Sequence, residues 1–407
     1  MKESFLIDVL KKGVSPFHCV EAAMQTLEES GFEELEYARP WNLKKGKAYM
    51  MNHHGTTLYA FTVGENFRAD AMLRMAAAHT DYPYLRIKPN ADFVTDRYAQ
   101  VNVEVYGGPI LNTWFDRPLG IAGRVIVRSK DVFAPETMLY RSGRPVLIIP
   151  NLAIHMNREV NKGVAINNQV DLMPVADMLP EEQQSTDYFL SFLAEELAVK
   201  KEDILDFELN TYCVEEPAYV GIKETLLSSP RLDNQTSVAA LLAAIVEGTR
   251  TDGINLIALF DNEEIGNTSK QGAASILLHD MVKRIYGRLA AVRKKRIVRC
   301  MQVCCFPWMW RMHCIRIIRR KWILPIIRCL GMDSVSKRHV PSLMRRMQRQ
   351  SEFCGNSAIR IKSHTRGLSI VPMCVGVVHW DRLHPRCFRF AQWILEFRSY
   401  RCILHGN

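Results

Sequence analysis

The charge of this chain changes sign near residue 286, and this change limits which part can fold as an ordinary domain. Residues 286–407 contain 25 Lys and Arg but only 4 Asp and Glu, together with 9 of the 11 Cys and 5 of the 7 Trp. The preceding residues contain 28 basic and 39 acidic side chains, a net charge of −11. The whole-chain charge of +10 therefore describes no single domain, and we do not take it to indicate nucleic-acid binding.

The first part has the patterning of an α/β protein. Apolar periodicity predicts helices over residues 3–12 and 17–29, the second ending near Gly31, and further helices in TSVAALLAAIVEG and GAASILLHDMVKRIYG. The segment AYMMNHHGTTLYAFTVG predicts a strand, a turn and a strand, and INLIALF predicts a buried strand. Short strands predominate between residues 85 and 220, where one helix, DYFLSFLAEELAV, interrupts them.

These elements predict two folded units. The first is an α/β domain, residues 1–84 and 221–287, with a mostly parallel sheet flanked by helices. The second is an inserted β-rich domain, residues 85–220. Residues 288–407 are expected not to be natively structured.

Neither a membrane span nor a signal peptide is expected. No stretch reaches about 18 uncharged apolar residues, the minimum for a membrane-spanning helix. The N-terminal segment MKESFLIDVLKKG has acidic residues inside its apolar part, unlike a secretory signal. We therefore expect a cytoplasmic protein that does not act on a membrane.

One pair of polar residues, His79 and Asp81, ends a predicted strand in AAAHTDYPYLRIKP. Open α/β sheets build their sites at such strand ends. A carboxylate two residues away can hold a metal-binding imidazole in the required tautomer. The alternative is a hydrogen-bonded surface histidine, which H-x-D alone does not exclude.

A group of carboxylates follows the INLIALF strand at Asp261, Glu263 and Glu264. Three carboxylates at a buried strand end are costly unless a cation compensates them or one stays protonated, so the pattern favours a metal site over a solvated acidic turn. Two adjacent Glu residues suit a division of roles between metal ligand and general base. Histidine and carboxylates without a thiolate are a ligand set that fits zinc.

Two further residues have open interpretations. Asp233 stands just before a strongly apolar helix, where it could be a metal ligand or an N-cap. His155 ends the apolar run PVLIIPNLAIHM, which predicts a strand. It could be a further ligand, a group that polarises the substrate, or a structural histidine.

Taken in order, five stretches of the first part closely resemble the aspartyl aminopeptidase family of metallopeptidases. They are AHTDYPYLRIKP, YGGPILNTWFDRPLGIAGRV, LAIHMNR, RLDNQTSV and LFDNEEIGNTSKQGA. The resemblance implies a zinc exopeptidase that removes N-terminal residues, often acidic ones, from peptides. It also implies an α/β catalytic domain with an inserted β domain that acts as a lid and in assembly, and a homo-oligomer that is typically a dodecamer.

The resemblance also implies roles for individual residues. His79 and Glu264 match metal ligands, and Asp233 matches the carboxylate that bridges two zinc ions. Glu263 matches the general base, and Asp81 the partner that holds His79. His155 matches a histidine assigned to metal binding or to the substrate pocket.

Two ligand segments that the family implies are missing from this chain. One is patterned D-x-A-H-A-x-H-P-N, and the other is a last histidine in a segment like M-H-S. Neither occurs after Gly287. The chain itself is therefore expected to be inactive and to bind zinc incompletely.

The missing segments reappear when the last part is read in a shifted frame. Trp and Met each have one codon, so the junctions between neighbouring residues in PWMWRMHCI fix many of the shifted codons. Joining the third base of each codon to the first two bases of the next allows D-V-A-H-A-L-H. In the same frame, FAQWILEFRSYRCILH is compatible with T-V-D-I-G-V-P-I-L-P-M-H-S-A. We therefore expect a frameshift after about residue 287, between codons 285 and 295.

Two alternative functions remain at this level. The first is a non-catalytic, peptidase-like protein whose basic tail binds a membrane or nucleic acid. The second is a different dinuclear zinc peptidase or deacylase.

Overall fold

The computed structural model describes residues 3–68, 71, 73–180, 187–249 and 251–289, together with three short strands farther along the chain. The prediction for residues 288–407 falls almost wholly outside these residues.

The described helices agree with the sequence pattern. They are α1 (Glu3–Lys12), α2 (Pro16–Glu29), α3 (Tyr188–Leu197), α4 (Leu232–Glu247) and α5 (Leu277–Leu289). In α2, the side chain of Ser15 accepts a hydrogen bond from the His18 N–H as an N-cap. Ser30 is the C-cap of α2, and Gly31 follows it at a φ of +83° and donates its N–H to the Glu28 carbonyl oxygen, so the helix ends near Gly31 as predicted.

Seventeen strands are described, and the first fourteen belong to the part of the chain with α/β patterning. They are β1 (Glu33–Glu34), β2 (Ala48–His53), β3 (Thr57–Val63), β4 (Leu73–His79), β5 (Tyr84–Thr95), β6 (Tyr98–Tyr106), β7 (Pro118–Val127), β8 (Glu136–Arg141), β9 (Leu147–Ile148), β10 (Val175–Met178), β11 (Ile204–Cys213), β12 (Ala218–Val220), β13 (Leu226–Ser228), β14 (Ile254–Phe260), β15 (Gln302–Cys304), β16 (Ile318–Arg319) and β17 (Val375–Val377).

The first sheet has the strand order β1-β2-β3-β14-β4. The pairs β1–β2 and β14–β4 are parallel, but β2–β3 and β3–β14 are antiparallel. The expectation of a mostly parallel sheet is therefore wrong for the described strands. The turn between His53 and Thr57 is too short for a parallel crossover, so β2 and β3 form a hairpin.

Helices cover both faces of this sheet, and β14 supplies side chains to both cores. Ile257 and Leu259 pack with residues of α1, α2 and α4. Leu256, Ala258 and Phe260 face the other side, where α5 packs. Because all seven residues of β14 are buried, the strand reads as a continuous apolar run.

The second sheet is built wholly from residues 84–213, in the order β11-β5-β6-β10-β9-β7-β8. An additional pairing of β11 with β7 closes six of these strands into a ring. All described pairings in it are antiparallel. The remaining described strands form the small sheets β12-β13-β16 and β15-β17.

Polar contacts join the second sheet to the helical layer beside the first. The carbonyl oxygen of Val14 accepts hydrogen bonds from the Tyr82 hydroxyl at 2.6 Å and the Asn210 amide at 3.3 Å. The guanidinium of Arg231 donates to the carbonyl oxygens of Leu10 and Cys213. Among the described helices, none is both long and apolar enough to cross a membrane.

Acid sensitivity is expected from His18, which is 8% exposed and lies 2.7 Å from the Ser15 hydroxyl. Burial, with a smaller contribution from Arg141, lowers its pKa to about 4. An unfolded-state pKa near 6.5 means that its contribution is present above pH 6.5 and is lost as the pH falls towards 4. The total loss corresponds to about 3 kcal/mol.

Urea denaturation at pH 7, 5.5 and 4 measures this effect. His18→Gln is expected to lose less free energy of unfolding between pH 7 and 4 than the unsubstituted chain. His279→Gln, at a partly buried site on α5, is the control and should behave like the unsubstituted chain. Equal acid dependence in the His18 variant would show that this group is not responsible.

Candidate metal centre

The register of β4 and β14 brings the predicted site residues to one sheet edge. Phe260 pairs with His79, and the Thr80 N–H continues the pairing to the Phe260 carbonyl oxygen at 2.8 Å. Because the two strands are parallel, the residues after both strands emerge side by side. These are Thr80 and Asp81 on one strand, and Asp261, Asn262 and the turn Glu263–Ile265 on the other.

His79 is buried, and its two ring nitrogens have different surroundings. Nδ1 lies 2.9 Å from the Asp81 carbonyl oxygen and 3.3 Å from Asp81 Oδ1. Nε2 lies 3.5 Å from Asp233 Oδ1 and 3.9 Å from Glu263 Oε2, yet it makes no hydrogen bond of normal geometry. A buried nitrogen aimed at carboxylates without a bond is the arrangement that a metal ion would complete.

Asp81 is completely buried and connects the two strand ends. It accepts hydrogen bonds from the Glu263 N–H at 3.2 Å, the Glu264 N–H at 3.1 Å and the Tyr106 hydroxyl at 2.8 Å. One carboxylate therefore orients both the imidazole and the acidic turn. Because His79 is buried, its interpretation as a surface histidine is wrong.

The described residues include one group with metal-ligand geometry: His79, Glu263 and Glu264, whose ligand atoms all lie within 4.8 Å of one another. Burial of Glu264, with the charges of Asp81, Glu263 and Asp233, raises its pKa to about 8 against the opposing effect of His79. Burial and the Asp81 charge likewise raise the pKa of Asp261 to about 7.

Carboxylates outnumber cationic groups at this site. Burial alone would lower the pKa of His79, but the nearby carboxylates of Asp233, Asp81 and Glu263 raise it well above its ordinary value. The imidazole and Glu264 thus both tend to keep a proton, as expected where a cation would compensate buried carboxylates. The donor set and its electrostatics fit a divalent metal.

Asp233 lies close to His79, near the start of α4. Helix α4 begins at Leu232, and the residue in its N-cap position is Arg231. Asp233 itself has non-helical dihedral angles, φ −84° and ψ 112°, within the first turn. This interruption places its carboxylate against Nε2 of His79.

His155 is not brought into this group by the structure. The predicted strand ends early, since β9 covers only Leu147–Ile148, and His155 lies in an exposed turn of the segment that follows. Pro150 has no N–H to continue the strand pairing. A metal or substrate role for His155 stays a prediction.

Two residues of the site were not identified from the sequence. Tyr106, the last residue of β6, binds Asp81, and the Asn262 side chain donates to the Tyr106 hydroxyl at 2.9 Å. Asn262 has a φ of +62°, which Asn tolerates better than most residues. Its position inside DNEEIGN was a usable signal, whereas Tyr106 comes from a different sheet.

Comparison with known proteins identifies one family over most of the chain. Residues 9–303 match the sequence model of the family described as aminopeptidase I zinc metalloprotease (M18). A relative from Clostridium acetobutylicum, named probable M18 family aminopeptidase 2, is 45% identical over 69% of this chain and 65% of its own length. An Aspergillus oryzae protein named aspartyl aminopeptidase is 33% identical over 67% of this chain and 62% of its own length.

Solved structures show the same similarity. The structure of the mApe1 dodecamer from S. cerevisiae is 25% identical, with a TM-score of 0.61, and covers 73% of this chain and 69% of that chain. The matched region thus spans 65% and 62% of the length of the two relatives and 69% of the solved chain. The family match ends at residue 303, which leaves residues 304–407 outside it.

Proposed function

The chain belongs to the M18 family of aminopeptidase I zinc metalloproteases, and from this premise we propose that its described residues are part of a zinc aminopeptidase active site. The observation that carries the proposal is the buried Nε2 of His79, which has no hydrogen bond and faces the carboxylates of Asp233 and Glu263. The reaction is the hydrolytic removal of N-terminal residues from peptides.

Three of the described residues would hold zinc. His79 and Glu264 would each bind a zinc ion, and Asp233 would bridge two ions from its place beside Nε2 of His79. Asp81 would keep the proton on Nδ1 of His79, which leaves Nε2 free for the metal. Two zinc ions would supply polarisation of the substrate carbonyl and a lowered pKa for water.

The proton transfers fall to Glu263. Its carboxylate lies in the same group as His79 and Glu264. If Glu264 binds the metal, the Glu263 carboxylate can act as the general base. It would accept a proton from water and deliver it to the leaving amine of the peptide. The backbone N–H of Glu263 donates to Asp81, which holds the turn that carries this carboxylate beside His79.

Substrate class, assembly and location extend this proposal. The name of the Aspergillus relative supports peptides with acidic N-terminal residues, within an acidic or broad range. The dodecamer of the S. cerevisiae structure supports assembly as a homo-oligomer. The domain division at residues 84/85 and 220/221 is supported by a second sheet that is confined to residues 84–213. A cytoplasmic location remains a prediction, as does the absence of membrane and nucleic-acid partners.

This polypeptide itself is proposed to be inactive or nearly so. Its matched part ends at residue 303, before any segment that supplies the two further ligands implied by the family. A frameshift after about residue 287 would account for their loss, because the shifted frame is compatible with both segments. The described residues would then bind zinc with an incomplete ligand set.

Thermal unfolding with and without zinc tests the metal site in this chain. Zinc added to the chelator-treated protein is expected to raise its Tm, since a ligand that binds only the folded state stabilises it. His79→Ala is expected to remove that rise, whereas His279→Ala on α5 should retain it. Equal zinc stabilisation of the two variants would refute the site.

A further inference from the structure

The second sheet contributes a side chain to the candidate metal centre. Tyr106 ends β6, is 4% exposed, and stacks on Tyr84 with ring centroids 4.3 Å apart and planes 2° apart. The Arg86 guanidinium lies 5.0 Å from the centroid of the Tyr106 ring. The ring of this tyrosine is therefore packed by residues of the second sheet.

The Tyr106 hydroxyl is held on both sides. It donates to Asp81 Oδ2 at 2.8 Å and accepts a hydrogen bond from Asn262 Nδ2 at 2.9 Å. Asn262 is itself fixed, because Ser269 donates to its Oδ1 at 2.6 Å. These bonds tie the hydroxyl both to the carboxylate beside His79 and to the residue that precedes Glu263.

We propose that Tyr106 is a positioning residue for the zinc ligands, acting through Asp81. This inference rests on the proposed function, since it presumes that zinc binds at His79 and the acidic turn. Asp81 accepts bonds from Tyr106 and from the N–H groups of Glu263 and Glu264, and its Oδ1 lies 3.3 Å from Nδ1 of His79. Removal of one of the three donors frees the carboxylate to rotate and loosens the groups that it orients.

The expected size of the effect follows from known outer-shell substitutions. Loss of a group that orients a metal ligand lowers metal affinity about 10- to 100-fold. Tyr106 acts one contact farther from the metal than Asp81 does. We therefore expect Tyr106→Phe to weaken zinc binding about 10-fold, at the low end of that range.

Zinc titration of the full chain against a chromophoric chelator tests the inference. Tyr84→Phe is the matched control, because it removes a phenolic hydroxyl from the same buried stack. The Tyr84 hydroxyl contacts Arg86 at 3.4 Å and is not bonded to Asp81. Tyr84→Phe should retain the affinity of the unsubstituted chain. Co²⁺ replaces zinc in a parallel experiment, where the visible absorption should change in Tyr106→Phe and stay unchanged in Tyr84→Phe.

Urea denaturation of the chelator-treated variants shows whether a weaker zinc affinity comes from loss of the fold or from loss of ligand positioning. Asn262→Gly provides a second variant, since Gly retains the left-handed backbone while the amide that holds the Tyr106 hydroxyl is lost. It should weaken zinc binding in the same direction. Equal zinc affinity of Tyr106→Phe and Tyr84→Phe would overturn the inference. If His79→Ala binds zinc as tightly as the unsubstituted chain, the proposed function fails first, and the inference fails with it.

Discussion

Restoring the reading frame by a one-base change between codons 285 and 295 is expected to produce an enzyme that hydrolyses peptides with N-terminal Asp or Glu. In that enzyme, Glu263→Gln is expected to lower kcat about 10²- to 10⁴-fold, the contribution of a positioned general base. The amide is close to isosteric with the carboxylate but cannot accept the proton. Release of the N-terminal residue, measured with and without a chelator, tests both the restored activity and its loss in Glu263→Gln.

The controls separate the effect of the reading frame on activity from the effect of the general base. Glu136→Gln, on the exposed end of β8, should leave the activity of the restored chain unchanged. The chain with the present sequence should show no chelator-sensitive activity. If it does hydrolyse such peptides, and if Glu263→Gln abolishes that activity, the missing ligand segments are not required. Sequencing of the DNA around these codons tests the frameshift directly.

The sequence predicted which edge of the first sheet carries the candidate metal centre, because short-range patterns determine it. Each of the strands β4 and β14 is an apolar run that ends in His or acidic residues, so periodicity located His79, Asp81, Glu263 and Glu264 at strand ends. Their convergence required only that the two strands be parallel neighbours, which the structure shows. Asp233 was identified in the same way, at the start of an apolar helix.

Pairings between distant segments could not be predicted in the same way. The hairpin of β2 and β3 was expected. The antiparallel pairing of β3 with β14 joins segments that are far apart in the sequence, so local patterns do not predict it. Tyr106 is 25 residues from Asp81 and belongs to the second sheet, so no local pattern connects the two. For His155 a local pattern was misleading. The apolar run predicted a strand that continues past Pro150, whereas the strand ends at Ile148.

Gly107, directly after β6, lies beside the proposed zinc ligand Glu264. Gly107 has a φ of +72°, and a Cβ added there would lie 2.9 Å from the Glu264 Cβ and 3.2 Å from Glu264 Oε2. Neighbouring Gly108 has nothing within 4 Å of such a Cβ, and its φ lies outside the left-handed region. The two positions therefore form a matched pair within one turn.

Gly107→Ala is expected to lower the free energy of unfolding by about 1–2 kcal/mol, the cost of a left-handed Ala, before any displacement of Glu264 is added. Because the methyl group would displace the Glu264 side chain, zinc affinity should fall at least as far as it does when a group that orients a ligand is lost, about 10- to 100-fold. Gly108→Ala should leave zinc affinity unchanged. Chelator competition and urea denaturation of the two variants measure both quantities. Equal zinc affinities would mean that Glu264 is not a ligand, or that the turn moves to accommodate the methyl group without displacing it.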